Sequence, residues 1–405
     1  MKEILLINVT GEDKPGVTSM IAEELSKYEA NILDIGQAVI HDTLALGLLA
    51  EFSDSHKTSE ALKDLLFKID AMGFSVKFTP VKKDDYEHWV EGKNKSRFSI
   101  TLLARRISAE HIAGVTNIIA SHKLNVDKIE RLSGRVPMDE DTDNAKASIE
   151  FLVSGLAEDT RNTEAIRKEF FELAMRLDAD IAFQEDNLFR RTRRLVCFDM
   201  DSTLIEAEVI DELAIAAGVG DQVIEITERA MRGELDFSES FEQRLALLEG
   251  LDESVLEGIA ESLKLTEGCE QLIQTLRRYG FKTAILSGGF NYFGRYLQKK
   301  LGFDYVYANE LDIVDGKVTG QVRGTIVNGE QKAKLLSDIA EKEGIELEQV
   351  VAVGDGANDL PMLSKAGLGI AFRAKPLVKE RAEHAISTLG LDGILYLMGY
   401  RDREM

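Results

Sequence analysis

Cysteine is nearly absent: 405 residues hold only Cys197 and Cys269. Two thiols so far apart make neither a disulfide framework nor a zinc cluster, and such sparse usage suits a reducing cytoplasm. Cys197 lies within an apolar run, as a small core residue would. Proline is scarce as well, with five residues, and no low-complexity tract occurs. No segment approaches the roughly 20 consecutive apolar residues of a membrane span. The opening stretch MKEILLINVTGEDKPG has an apolar run too short for a signal peptide, and acidic residues follow it. Positive charge is in deficit, 49 Lys and Arg against 71 Asp and Glu for a formal net charge of −22. That balance argues against a nucleic-acid partner. An acidic enzyme can still take an anionic substrate, but it then needs a local cation or a metal. The expectation is a soluble cytoplasmic protein of two or three domains, with no membrane and no nucleic acid as partner.

The first segment reads as a strand at Ile4–Val9, a turn at Asp13–Gly16, and a helix whose Val17, Ile21 and Leu25 share one face. Strands from Asn31 and over Leu44–Phe52, a helix over Ser59–Met72 and a strand over Phe74–Phe78 complete a βαββαβ order, the ferredoxin-like arrangement. The polar stretch KKDDYEHWVEGKNKS reads as a linker. A second copy follows at a period of roughly 90 residues. Its first strand is Phe98–Leu103, AGVTNIIA echoes PGVTSMIA, and LNVDKI echoes ANILDI. The copy is degenerate: His111 replaces Asp13, Ala113 replaces Pro15, and the helix is expected to be shorter. Arg190–Arg194, in DNLFRRTRR, reads as a solvated linker. The domains are then 1–82, 96–185 and 195–405.

From Leu195 onward strands and helices alternate, the pattern of a doubly wound α/β domain. Three apolar strands end in polar clusters: Leu195–Phe198 before Asp199, Thr283–Leu286 before Ser287, and Val350–Val353 before Gly354. A helical stretch from Val209 to about Leu265 interrupts the alternation as an inserted cap. Asp315-Gly316, within ELDIVDGKVTGQV, signals a hairpin.

Ligands of open α/β sheets bind at the carboxyl ends of the strands. Bringing these three ends together gathers Asp199, Asp201, Ser287, Gly288, Asp355, Asn358 and Asp359. Four carboxylates in one crevice repel one another without a cation. A hard site with few oxygen ligands suggests Mg²⁺, and Lys332 can add a positive charge. DMD or SGG alone says little. Both in order, each after an apolar strand, followed by a lysine and then GDGANDLPM, is a specific combination.

In these four elements, DMDST, SGG, Lys332 and GDGAND, residues 195–405 resemble the haloacid dehalogenase superfamily. IEAEVIDELA and ERAMRGELDFSESFEQRLALL in the cap resemble phosphoserine phosphatases. DKPGV and ANILDI resemble ACT domains, small amino-acid-binding modules. The resemblance implies a Mg²⁺-dependent hydrolysis of phosphoserine, the last step of serine biosynthesis, with Asp199 as nucleophile and Asp201 as proton donor and acceptor. It implies a metal held by Asp199, the carbonyl of Asp201 and Asp355. Ser287, Gly288 and Lys332 would hold the phosphoryl oxygens, with Asn358 and Asp359 orienting them. Asp359 has a second, purely structural reading, as a partner of Lys332 or a backbone amide. Glu208 would meet the substrate ammonium and Arg244 its carboxylate, for which a guanidinium fork is suited. Met231 and Phe237 would close the cap, or else be ordinary cap core.

Two other functions stay open on the residues: another phosphomonoesterase or phosphotransferase, and an amino-acid sensor built on a catalytic scaffold. The N-terminal half is expected to form a homodimer through residues 1–185, since sheet edges are paired or covered. Asp13, Gly16 and Asn31 are the candidate contacts for an L-serine effector, with pure dimerisation as the other reading of this half.

Overall fold

The computed structural model describes residues 2–91, 95–135, 137, 145–156, 162–232 and 234–405, apart from the side chain of Met231. The chain divides into two compact units, Met1–Asn94 and Lys95–Met405.

The first unit runs β1 (Glu3–Glu12), α1 (Val17–Lys27), β2 (Asn31–Ile40), β3 (Thr43–Phe52), α2 (Ser55–Ala71), β4 (Ser75–Val81) and α3 (Lys83–Glu91). Its sheet has the order β2-β3-β1-β4. Alternate residues of β3, Leu44, Leu46, Leu48, Ala50 and Phe52, point to one face. There they meet Val17, Ile21 and Leu25 of α1 and Ala61, Leu65 and Ile69 of α2. Asp54 caps α2, accepting from His56 N and Lys57 N at 3.0 Å each, so the helix opens four residues before the apolar pattern alone suggests. The stretch expected as a linker holds α3, which buries none of its residues and therefore shows no apolar signal.

The second unit begins with β5 (Lys95–Ala104), α4 (Ala109–Ser121), β6 (Asn125–Arg131), β7 (Ala147–Leu156), α5 (Thr163–Leu177) and β8 (Asp180–Glu185). The order β6-β7-β5-β8 repeats that of the first sheet. The helix expected to be shorter in this copy is longer, 13 residues against 11. Ser108 and His111 form a capping box that starts α4 early, whereas Gly16, at φ 94°, delays the start of α1. Unlike β3, β5 is buried without interruption from Phe98 to Ala104. Its Leu103, with Ala182 of β8, joins the large core of the following α/β domain. Asp180 accepts from the backbone of Ser387 and Thr388, each at 2.9 Å, and Gln184 donates to Leu397 O at 3.0 Å.

A short helix, α6 (Leu188–Arg191), leads into that domain. The arginines expected to be solvated are not all so. Arg190 and Arg193 are buried, the first against Glu150 and the second donating to Glu348 O at 3.1 Å. The burial of β5 and of these arginines follows from the second module's packing against the α/β domain, which local pattern does not show.

The α/β domain comprises β9 (Leu195–Phe198), the cap helices α7 (Val209–Ala217), α8 (Gly220–Met231), α9 (Phe237–Ala246) and α10 (Val255–Ser262), then α11 (Cys269–Arg278), β10 (Lys282–Phe290), α12 (Asn291–Leu301) and β11 (Tyr305–Val314). It continues with β12 (Lys317–Arg323), α13 (Gly329–Glu343), β13 (Val350–Gly354), α14 (Leu360–Lys365), β14 (Leu368–Phe372), α15 (Pro376–Arg381), β15 (His384–Ile386) and α16 (Gly393–Leu397). The sheet order is β12-β11-β10-β9-β13-β14-β15. All neighbours are parallel except β12, which returns on β11 through left-handed Asp315 and Gly316. The four residues of β9 are completely buried, as a central parallel strand requires. No helix among the described residues is long and apolar enough to cross a membrane.

Candidate active site

Strand β9 pairs with β10 on one side and β13 on the other. The sheet order reverses there, which opens a crevice at the strands' carboxyl ends. Asp199 is the first residue past β9. Its N–H donates to Val353 O at 2.9 Å, and its Oδ1 accepts from Met200 N at 2.7 Å and from Lys332 Nζ at 2.8 Å. Lys332 lies in the first turn of α13, which Asn328 caps by accepting from Gln331 N at 3.0 Å. The lysine is wholly buried and donates to Asp359 Oδ1 at 2.7 Å, while Asp359 Oδ2 accepts from Gly356 N at 3.0 Å. Asp355, past β13, accepts from Thr203 Oγ1 at 3.3 Å. Asp199, Asp355 and Asp359 each offer a carboxylate oxygen, all within 4.8 Å of one another.

The Asp201 carboxylate stands outside this group. Its Oδ1 accepts at 3.1 Å from the N–H of Val209, the first residue of α7. Its Oδ2 faces Gly289, where a Cβ would lie 2.3 Å away. Only glycine permits that approach. Ser287 is buried, and its Oγ accepts from Gly289 N at 2.8 Å, so the hydroxyl hydrogen is left to donate elsewhere. Gly288 O accepts from Asn309 Nδ2 at 2.7 Å, and Asn309 Oδ1 accepts from Val327 N at 2.9 Å, which fixes the loop's shape.

Charge is concentrated and underpaired. Burial, then the neighbouring Asp359, pushes the Asp199 carboxyl well above the usual carboxylate range. Burial and Glu208 lift Asp201 to about 8, and burial and Asp359 lift Asp355 to about 7. Burial alone would pull the Lys332 ammonium down, but Asp199 and Asp359 override it and hold it charged. One lysine does not neutralise this many acids, so the crevice takes up protons or a cation. The donor set, carboxylates alone, suits a hard divalent ion.

The cap supplies the other wall. Its root is an isolated antiparallel bridge between Ile205 and Leu265, in which Glu206 N donates to Lys264 O at 2.9 Å and Thr266 N to Leu204 O at 3.0 Å. Glu208 lines the crevice and accepts from Ser202 Oγ at 2.8 Å; burial by the crevice walls, with Asp211 nearby, pushes its carboxyl upward. Arg244 of α9 is half-buried, donates from Nε to Ser240 O at 3.3 Å, and shares the field of Glu208, Asp211 and Asp201. Phe237 opens α9 directly over Gly288, where a Cβ would come 2.7 Å from its Cζ. It stacks on Phe241, which in turn meets Phe290 of β10, at centroid distances of 6.1 and 5.7 Å. Met231 ends α8, and its side chain lies outside the described residues. Asn358 sits half-buried in the turn before α14.

Thus Asp199, Asp201, Glu208, Phe237, Arg244, Ser287, Gly288, Lys332, Asp355, Asn358 and Asp359 all belong to one crevice and its cap. Thr203, Asp211, Gly289 and Asn309 join them without having been singled out in the sequence. Gly289 and Thr203 lie inside the quoted motifs SGG and DMDST. Asn309 carries no local signal.

In the first unit, Asp13, Gly16 and Asn31 are all exposed, but they do not converge. Asp13 N donates to Asp42 O at 2.7 Å, beside the β2–β3 turn. Asn31 is in register with Glu51, which faces Ile4 at the start of β1. Some eight residues of strand, roughly 26 Å, therefore separate Asn31 from the loop.

Residues 196–364 match the family of haloacid dehalogenase-like hydrolases, and residues 3–79 match the ACT domain. The solved HAD-family hydrolase t0658 of Salmonella enterica is 30% identical, with a TM-score of 0.62 over 74% of this chain and 98% of that one. Two phosphoserine phosphatases match over nearly the whole chain. That of Streptomyces coelicolor is 38% identical over 99% of this chain and 93% of its own. That of Mycobacterium tuberculosis, SerB2, is 40% identical over 100% and 95%. The chain belongs to the phosphoserine phosphatase family.

Proposed function

We propose that the protein hydrolyses O-phospho-L-serine to L-serine and phosphate through an aspartyl-phosphate on Asp199, with Mg²⁺ as the metal. The observation that carries this reading is Asp199 at the sheet's switch point, in contact with Lys332 at 2.8 Å, with Asp201 beside it and held off the metal-competent group by Val209 N. Asp199, Asp355 and the backbone carbonyl of Asp201 would hold the ion, which when bound offsets carboxylate repulsion and the charge of the phosphoryl oxygens. The Asp199 oxygen not engaged by Lys332 attacks phosphorus. Asp201, whose carboxyl burial and then Glu208 push upward, is suited to give a proton to the leaving serine oxygen, then to take one from the attacking water. Lys332 and the Ser287 hydroxyl donate to the phosphoryl oxygens, with the Gly288 amide. Asp359 spends one oxygen on Lys332 and the other on Gly356 N, which makes it a positioning residue. Glu208 meets the substrate ammonium and Arg244 its carboxylate. Phe237 shuts the cap over Gly288.

The three-module organisation 1–82, 96–185 and 195–405, and a cytoplasmic location, belong to the same reading. So does a homodimer through the N-terminal half. Strand β2 is a sheet edge with Ile35 and Ile40 exposed. The separation of Asn31 from Asp13 and Gly16 means that an L-serine effector touching all three needs two copies. Phosphate release from phosphoserine, with and without Mg²⁺, tests the catalytic reading; equal rates on phosphate esters lacking the amino-acid group refute the substrate. Serine calorimetry on the full chain and on Asp13→Ala tests the effector site. Unchanged binding heat in the variant leaves only product inhibition at the active site.

A further inference from the structure

Helix α9 carries Phe237 over the phosphate-side loop at Gly288, and two seats fix the helix on the sheet. At its far end Ala246 lies on Gly320 of β12, a left-handed residue at φ 77°, where a Cβ would come within 3.2 Å of Ala246 Cα. At its near end Phe241, 2% exposed, meets Phe290, which is wholly buried. Their rings lie 5.7 Å apart at 38°. Phe290 belongs to the fixed sheet: it ends β10, two residues past Gly288, and is in register with Asn309 of β11. Phe241 shares one core with Phe290, Leu245 and Leu248.

Phe237 stands one turn beyond the near seat, on the same face of α9 as Phe241. A capping box starts the helix there: Asp236 accepts from Glu239 N at 2.8 Å, while Asp236 N donates to Glu239 Oε2 at 3.0 Å. The rings of Phe237 and Phe241 are nearly parallel, 8° apart in plane. Phe237 is only half-buried, and its one ring partner among the described residues is Phe241. The ring that overhangs Gly288 therefore takes its direction from Phe241, and Phe241 takes its own from the sheet.

We propose that Phe241 is a positioning residue for the phosphatase reaction read above. Seated on Phe290, it sets the stance of Phe237 over Gly288, and so how tightly the closed crevice holds the phosphoryl end of the substrate. It touches no reacting group itself. A side chain without the flat ring leaves α9 on its far seat and frees Phe237 to swing off the loop. Two aromatic contacts of this kind carry enough energy beyond their burial for about a tenfold change in affinity.

Phe241→Leu keeps the site apolar and removes both ring contacts. The inference rests on the crevice being a phosphatase site, so the full chain is assayed with Mg²⁺ on phosphoserine and on phosphoethanolamine, which has no carboxylate. KM should rise about tenfold on both, with kcat within about threefold, because Phe237 covers the phosphate loop and not the carboxylate end. A merely structural loss lowers the amount of folded enzyme, and with it the apparent kcat, but leaves KM in place; that outcome overturns the proposal. So does a rise confined to phosphoserine, which assigns Phe241 to Arg244. In a Phe237→Leu background the further change Phe241→Leu should move KM by less than about twofold, whereas independent effects that multiply refute action through Phe237. Phe241→Met, which fills more of the volume, carries the same series should the leucine variant not fold. A wild type with no preference for phosphoserine refutes the substrate reading alone, since the phosphoethanolamine comparison still decides the role of Phe241.

Discussion

Replacing Lys332 by methionine tests the electrostatic account of the crevice directly. The ammonium is wholly buried and contacts Asp199 at 2.8 Å and Asp359 at 2.7 Å. Methionine keeps the volume and removes the charge, leaving two buried carboxylates facing each other beside Asp355. Removing one partner of a buried ion pair typically costs about 3–5 kcal/mol. For a unit of this size that is a fall in melting temperature on the order of 10 °C. The loss should shrink as pH falls. The Asp199 carboxyl, already pushed up by burial, titrates above its unfolded value near 3.9, so the folded state binds a proton that the unfolded state does not, and stability relative to wild type recovers on acidification. Adding Asp359→Asn should recover part of the stability at neutral pH, because one repelling charge goes, while turnover stays lost. The assay is denaturant unfolding of wild type, Lys332→Met and Lys332→Met/Asp359→Asn at pH 8 and pH 5.5, without metal. A cost below about 1 kcal/mol for the single variant, or a double variant no more stable than the single, refutes the reasoning.

Asp199→Asn should abolish phosphate release while the melting profile stays cooperative, since an amide does not attack phosphorus; a tenth of wild-type turnover, without deamidation, would overturn the nucleophile. Arg244→Ala should raise KM for phosphoserine through a loss of about 2–5 kcal/mol, and far less for a phosphate ester lacking a carboxylate; equal losses on both assign Arg244 to holding the cap. His384, buried in β15 with no partner for Nδ1 among the described residues, has its imidazole pushed down to about 3 by burial and by Arg167 and Arg193. Its folded value lies below the unfolded one near 6.5, so the unfolded state gains the proton first and stability is lost as pH falls. Between pH 7.5 and 5.5 wild type should lose about 1.4 kcal/mol more than His384→Gln, read by urea unfolding, and parallel curves would exclude a neutral buried histidine.

Much of the catalytic half was legible because chemistry and backbone coincide there. A strand buried on both faces is a short apolar run, and a functional carboxylate at its end is a break in that run. Asp199, Ser287 and Asp355 each announce themselves in that way. Asn309 does not, because an asparagine that ties Gly288 O to Val327 N is an ordinary polar residue on a strand until the fold brings those backbones together. Helix α3 buries nothing, and the linker reading of its stretch followed from that.

The sequence by itself determined the βαββαβ order of the two modules, their repeat, the alternating α/β domain with its cap, and the polar residues at its strand ends, since each is written in local periodicity or in breaks of an apolar run. Tertiary structure alone decided which charges meet. Lys332 lies between Asp199 and Asp359, Arg190 and Arg193 turn inward, and Asn31 stands a sheet's length from Asp13. These outcomes depend on contacts between segments far apart in the chain, and on whether a neighbouring layer withdraws water from a charge. Composition and spacing carry no record of either.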